Sequence, residues 1–398
     1  MKTPEGYIEM SFDLGKAYVK ESRLMDISKI DSIIFDCDGV LIDVRGSYDK
    51  AISKATTWIF EMLTGYSIPE ELISSEIIFL FRKSGGFNID SDIIYGLLMF
   101  LLSELPVSSL RELAEIIRAV GQDGGIVKRI QAVKERVRAK GIDINIDANG
   151  LIARLEWFTS MLDDTGVTSV DRVILTLRGV PEGVYTPLKN FLYGSKRVSE
   201  DIIATVFEEV FCGPSLFREM YNLKPVFFNG SGTIKNSKVI IRRETLNKLS
   251  SLIGRARFGI ASGSMLAPAK YVLGSILEDF NLKALTFLDN IREIEEEYSS
   301  RGLLKISLIK PNPYSLFRSA WSLEPFRKAL FIGDSMEDAL MVNKANELDP
   351  RFIFAGVYAY TGVEDRALQE FLKFGCDIVS PSVNEIPLII EAVRGDGA

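Results

Sequence analysis

Residues 33–41 read IIFDCDGVL: an apolar run, two aspartates flanking a cysteine, then a glycine. If SIIFD at 32–36 is a strand, Asp36 and Asp38 stand at its carboxyl end and the rest of the chain must supply a sheet around it. The pattern alone does not decide this. Asp90-Ser91-Asp92 has the same spacing, and an acidic turn would look the same. The run is too short for a helix and is followed by turn chemistry at Gly39, which favours a buried strand.

Outward from this stretch the chain changes character. Residues 1–29 are polar and weakly patterned and read as a surface extension. Residues 47–239 shift to helical periods. SYDKAISKATTWIFEMLTG (47–65), VSSLRELAEIIRAVG (107–121) and GIVKRIQAVKERVRAKG (125–141) each carry an apolar stripe and close on glycine. After residue 240, short apolar runs alternate with helical stretches. The runs are RFGIAS (257–262), KALTFLD (283–289), LLKISLI (303–309), KALFIGD (328–334), RFIFAGV (351–357) and CDIVS (376–380). Such alternation predicts an α/β fold, a parallel sheet covered by helices on both faces. The economical organisation is one α/β core, 30–46 plus 240–395, interrupted after its first strand by a mostly helical insertion at 47–239.

Composition narrows the chemistry. The chain has 398 residues, 47% hydrophobic and 25% charged, in the range of soluble globular proteins. A net charge of -7 argues against a broad nucleic-acid-binding face. An anionic substrate would need a local basic site or a metal. The longest apolar stretch, YGLLMFLL at 95–102, is far short of the ~20 residues that span a bilayer. MKTPEGYIEMSFDLGK at the start lacks a signal-peptide core, so a cytoplasmic location is expected. The three cysteines are scattered, with no C-x-x-C spacing for a zinc site. There are no histidines. Catalysis by a His base, Ser-His-Asp or Cys-His arrangements and His-ligated metals are therefore excluded.

In an open parallel sheet, ligands bind beyond the carboxyl ends of the strands. The residues that follow the apolar runs are Asp36 and Asp38, then Ser262 with Gly263 and Ser264, then Lys310 in IKPNP. Gly333-Asp334 comes last, with Asp338 four residues on. Clustered carboxylates invite a hard cation, and Mg2+ prefers oxygen ligands. An aspartate can attack phosphorus and form an aspartyl phosphate. A second carboxyl two residues along can protonate the leaving oxygen and then deprotonate water. Ser262 and Lys310 could hold phosphoryl oxygens.

Asp36-Cys37-Asp38-Gly39-Val40-Leu41, Ser262 after FGIA, Lys310-Pro311 and Gly333-Asp334-Ser335-Met336-Glu337-Asp338 resemble the four motifs of the haloacid dehalogenase-like (HAD) superfamily, in their usual order. The resemblance implies a Rossmann-like core with Asp36 as nucleophile and Asp38 as acid/base. It implies Mg2+ held by Asp36, the Asp38 backbone carbonyl and Asp334, with Asp338 in or beside the metal shell. Ser262 and Lys310 would meet the phosphoryl group. An insertion directly after the first motif resembles the helical C1 cap of subfamily I. LIDVRGSYDKAI, RKSGGFNIDSD and VFEEVFCGPSLFREMY are similar to segments of a subfamily IA group of phosphatase-like proteins. The implied activity is Mg2+-dependent hydrolysis of a small phosphorylated metabolite, with neither nucleic acid nor membrane as partner. A phosphomutase would use the same intermediate, and a non-catalytic binding or scaffold protein is the alternative of another class.

Other residues are less determinate. In Arg82-Lys83-Ser84-Gly85-Gly86-Phe87-Asn88, Lys83 and Asn88 are candidates to meet substrate, yet the segment reads equally as a helix-ending loop. Arg45 and Tyr48 could face the pocket, and Gly263 could approach substrate. Cys37, between two acids, reads as a spacer rather than a reactive thiol. Asn229-Gly230-Ser231-Gly232 reads as a turn, EIEEEYSSR at 293–301 as a solvated helix face, and Trp157 and Trp321 as packing residues.

Overall fold

The computed structural model describes residues 4–395 apart from 88, 122–123, 143, 145, 148, 255–256 and 304–306, and in it Ile30–Phe35 forms a strand inside an eight-stranded sheet. Along the chain the strands are β1 (Tyr7–Phe12), β2 (Gly15–Lys20), β3 (Ile30–Phe35), β4 (Ile42–Asp43), β5 (Lys238–Val239), β6 (Phe258–Ala261), β7 (Leu285–Thr286), β8 (Lys328–Gly333), β9 (Phe352–Val357) and β10 (Ile378–Ser380). The main sheet runs β1-β2-β10-β9-β8-β3-β6-β7, and β4 pairs with β5 separately. From β10 to β7 all pairings are parallel. Ranked by chain position, those strands follow the doubly wound order 3-2-1-4-5-6, with the reversal point between β3 and β8. The fold is α/β with a Rossmann-like core.

Every residue of β6 and β9 is buried, because helices cover both faces. Alternate residues divide between the faces. Ile33, Phe35, Leu330, Ile332, Ile353 and Ala355 belong to one apolar cluster. Ile34, Ala329, Phe331, Phe352 and Phe354 belong to the other.

Two expectations are corrected. Residues 7–20, read as part of a surface extension, form the β1–β2 hairpin, and β2 pairs antiparallel with β10. Ala17, Tyr18 and Val19 are buried. The Tyr7 hydroxyl donates to the Cys376 carbonyl at 2.8 Å, and the Tyr358 hydroxyl bonds both backbone groups of Lys16, at 3.0 and 2.9 Å. A half-exposed edge hairpin mixes polar with apolar residues, so it lacks the continuous apolar run of a central strand. The second correction concerns 303–309. Residues 304–306 of that run lie outside the described residues, and 303 and 307–309 are not strand.

Residues 1–45 with 237–398 form one unit, and 46–236 a second. The chain leaves the first through β4 and returns through β5, which pairs with it antiparallel. The second unit is helical. Its helix Tyr48–Thr64 ends on Gly65 in the left-handed conformation, and Val107–Val120 and Gly125–Lys140 end on Gly121 and Gly141. Helix Asp90–Ser103 is buried from Ser91 to Leu102. It packs against Tyr48–Thr64 and Ile202–Tyr221, and this accounts for the apolar run YGLLMFLL. Among the described residues, no helix is long and apolar enough to cross a membrane.

Asp90 and Asp92 lie in the first turn of that buried helix, where exposed N–H groups favour carboxylates. Asp90 pairs with Arg82 at 3.1 Å and Asp92 with Lys196 at 3.0 Å. This D-x-D is a helix start with its own counter-ions.

Helix Ile202–Tyr221 is broken at Gly213, with φ 68 and ψ 173. The backbone of Gly232 packs into the break, so a side chain at either glycine would meet the other segment's main chain. The NGSG segment is therefore a packing element. One turn earlier, the fully buried Glu209 carboxylate accepts the backbone N–H groups of Val226, Phe227 and Phe228 at 2.7–2.8 Å. Removing it takes the acceptor from three backbone N–H groups at once. Glu209→Ala is expected to destabilise the helical unit by roughly 3 kcal/mol in urea denaturation, and Glu209→Gln by less. An unchanged midpoint for the alanine variant would show that these bonds are unimportant.

Candidate active site

The carboxyl ends of β3 and β8 lie side by side at the reversal point. The N–H of Asp36 donates to the Ile332 carbonyl at 2.8 Å, extending the β3–β8 ladder to the edge of the crevice. Asp36 Oδ1 accepts the Cys37 N–H at 2.7 Å. Its Oδ2 faces Lys310 Nζ at 3.0 Å, and the same ammonium reaches Asp338 Oδ1 at 2.7 Å. Lys310 is 7% exposed and Asp338 is fully buried.

Asp338 is fixed from its other side. Ser335 caps helix Met336–Leu348, and its hydroxyl donates to Asp338 Oδ2 at 2.7 Å while accepting the Asp338 N–H at 3.2 Å. This reciprocal cap is legible as Ser-x-x-Asp in SMED, although the reading of the motif did not use it. Asp334 sits against the first motif loop. Gly39 has φ +69, and a Cβ there would collide with the Asp334 carboxylate. The glycine of the D-C-D-G stretch is thus required by contact with the end of β8 as well as by the turn.

Among the described residues, carboxylate oxygens of Asp36, Asp334 and Asp338 all lie within 4.8 Å of one another. The Asp38 carboxylate is not in that group. Its Oδ2 instead accepts the hydroxyl of Ser264, a partner that the sequence reading passed over in favour of Ser262. Ser262 is buried, and its Oγ accepts the Ser264 N–H at 3.2 Å. Gly263 between them is exposed, with open space where a side chain would stand.

Burial dominates the electrostatics. It pushes Asp36 up to about 6 against the pull of Lys310, and Asp338 adds to the rise. Burial, then the carboxylates of Asp338, Asp36 and Asp38, push Asp334 well above the ordinary range. Burial disfavours the Lys310 ammonium, but Asp338 and Asp36 outweigh it and raise its pKa. Cys37 is driven well up by burial and by Asp38 and Asp36, and its side chain joins the core cluster under β3. It is a spacer.

One ammonium facing three close carboxylates leaves negative charge in excess, and all the donors are oxygens. The set fits a hard divalent cation such as Mg2+.

The remaining candidates have other partners. The Arg45 guanidinium forks onto Asp43 at 2.9 and 2.8 Å, reaches Glu364 at 3.2 Å and covers the Tyr360 ring. Tyr48 stacks on Phe211 within the helical unit. Arg82 pairs with Asp90 and Phe87 is buried, while Lys83 is exposed at the end of helix Ser75–Lys83. Asn88 lies outside the described residues. Trp157 and Trp321, read as packing residues, are 43% and 63% exposed, and Trp321 stacks on Phe317.

No family model and no curated protein matches the chain. Two solved structures are similar to it. The X-ray structure of Northeast Structural Genomics Consortium target ZR25 has a TM-score of 0.61 at 16% identity, over 92% of this chain and 100% of that one. Phosphatase Tt82 from Thermococcus thioreducens has a TM-score of 0.46 at 18% identity, over 91% and 99%. At such identity the first likeness is one of fold alone.

The folded protein holds the Asp36 proton more tightly than the unfolded chain does. Without metal, this group's stability contribution is therefore full at low pH and lost as pH rises through about 6. Added Mg2+ is expected to raise the melting temperature by several degrees at about pH 7.5 and by much less at about pH 5, where protons compete for the same oxygens. Asp334→Asn should remove most of the gain. Equal gains at both pH values, or in that variant, would mean the cation binds elsewhere.

Proposed function

We propose that the chain is a Mg2+-dependent phosphohydrolase of the HAD-like type, acting on a small phosphorylated metabolite through an aspartyl phosphate on Asp36. The observation that carries this reading is the Lys310 ammonium shared between Asp36 and Asp338, with Asp334 alongside, at the carboxyl ends of adjacent parallel strands. The insertion's place directly after the first motif supports the further reading of a C1-type cap.

Asp36 is the group positioned to attack. The Cys37 N–H and the Lys310 ammonium hold its two oxygens in one orientation, so little reorganisation is needed before an in-line approach to phosphorus. The Lys310 charge also stabilises equatorial phosphoryl oxygens as negative charge spreads over them. Asp38, two residues on, donates its proton to the leaving alkoxide as the ester P–O bond breaks. It then takes a proton from the water that attacks phosphorus and frees Asp36. A bound Mg2+ would be held by Asp36 and Asp334, with Asp338 beside them, and would offset the charge of the phosphoryl group and the carboxylates.

Asp36→Asn is expected to leave the fold intact and lower phosphate release below detection across a panel of phosphorylated metabolites and an aryl phosphate. Chelator should abolish wild-type turnover and Mg2+ restore it. Turnover that persists in chelator, or an active Asp36→Asn protein, would overturn the mechanism.

A further inference from the structure

The Asp38 carboxylate has a partner outside the motif positions. The Ser264 hydroxyl donates to its Oδ2 across the gap between the first motif loop and the end of β6. That hydroxyl is carried on a backbone fixed from both directions. The Ser264 N–H donates to Ser262 Oγ at 3.2 Å, and the Ser264 carbonyl accepts the Leu288 N–H at 2.9 Å, just after β7. The adjoining turn is tied in the same way, with the Leu266 N–H on Asp289 Oδ2 at 2.7 Å. Ser264 is thus held by the ends of two neighbouring strands, while Asp38 lies on a loop leaving a third.

We propose that Ser264 is a positioning residue for the acid/base step, and that it decides which oxygen of Asp38 carries the transferable proton. This rests on the phosphohydrolase reading above. A hydroxyl that donates to Oδ2 draws electron density from that oxygen and makes Oδ1 the more basic of the two. The proton of the neutral acid therefore resides on Oδ1. In the first half-reaction an Asp36 oxygen bonds to phosphorus, the ester P–O bond breaks, and the Oδ1 proton passes to the departing alkoxide. In the second, water gives a proton to Oδ1 and its oxygen bonds to phosphorus. The P–O bond to Asp36 then breaks, and both carboxyls return to their starting states. Ser264 keeps Oδ2 as an acceptor throughout and holds the side-chain rotamer between the two transfers.

Leaving-group dependence separates this role from a structural one. A poor leaving group needs the proton in the transition state, whereas a strongly acidic phenol does not. kcat would be measured for wild type, Ser264→Ala and Ser264→Thr on ethyl phosphate and on 2,4-dinitrophenyl phosphate, with saturating Mg2+. Ser264→Ala should lose about 30-fold more on the ethyl ester than on the dinitrophenyl ester, and Ser264→Thr, which keeps the hydroxyl, should recover most of the difference. Equal losses on both esters, or no loss on either, would overturn the positioning role while the phosphohydrolase reading stands. A wild-type protein that hydrolyses neither ester would overturn that reading and this inference together.

Discussion

Lys310 places a single ammonium between Asp36 and Asp338, in a pocket where all three side chains are nearly or wholly withdrawn from water. Buried carboxylates at such separation would repel one another and take up protons. The ammonium lets at least part of the cluster ionise, and Ser335 supplies a further donor to Asp338. Without Lys310 the end of β3 would carry an uncompensated buried acid next to another, an expensive arrangement to fold. The excess charge that remains is what makes the site receptive to a divalent cation.

The fold provides for this interaction by strand order. The reversal between β3 and β8 puts the chain segments after both strands next to each other. Gly39 allows the loop after β3 to approach Asp334 without a steric barrier. The β4–β5 pair then closes the point at which the helical insertion leaves and rejoins the core chain. A residue just after β3, one from the loop at 310 and two from the segment after β8 converge although they are far apart in sequence.

The sequence shows the centre of the sheet clearly and its margins poorly. β3, β6, β8 and β9 are largely buried on both faces, so most of each reads as an apolar run. β1 and β2 alternate irregularly because only part of each is covered, and no local signal tells an edge hairpin from a surface tail. The aspartates and Lys310 were legible because each follows a strand or sits beside a proline-rich turn. Arg45 shows the limit of such reading. Its place beside the first motif suggested a substrate contact, but its partners include Glu364, more than three hundred residues away. Ser264 was in view as part of a strand-ending turn, yet its bond to Asp38 depends on how two loops meet, which spacing does not encode.

The central claim is that Asp36 becomes covalently phosphorylated during turnover. The most direct measurement is an acid quench within one turnover in the presence of Mg2+. Borohydride reduction would follow, and the modified residue would be located by peptide mass spectrometry. An aspartyl phosphate is reduced to homoserine, so the account predicts homoserine at position 36 and an unmodified Asp38. Homoserine at position 38, or turnover with no modified aspartate at any quench time, would contradict it.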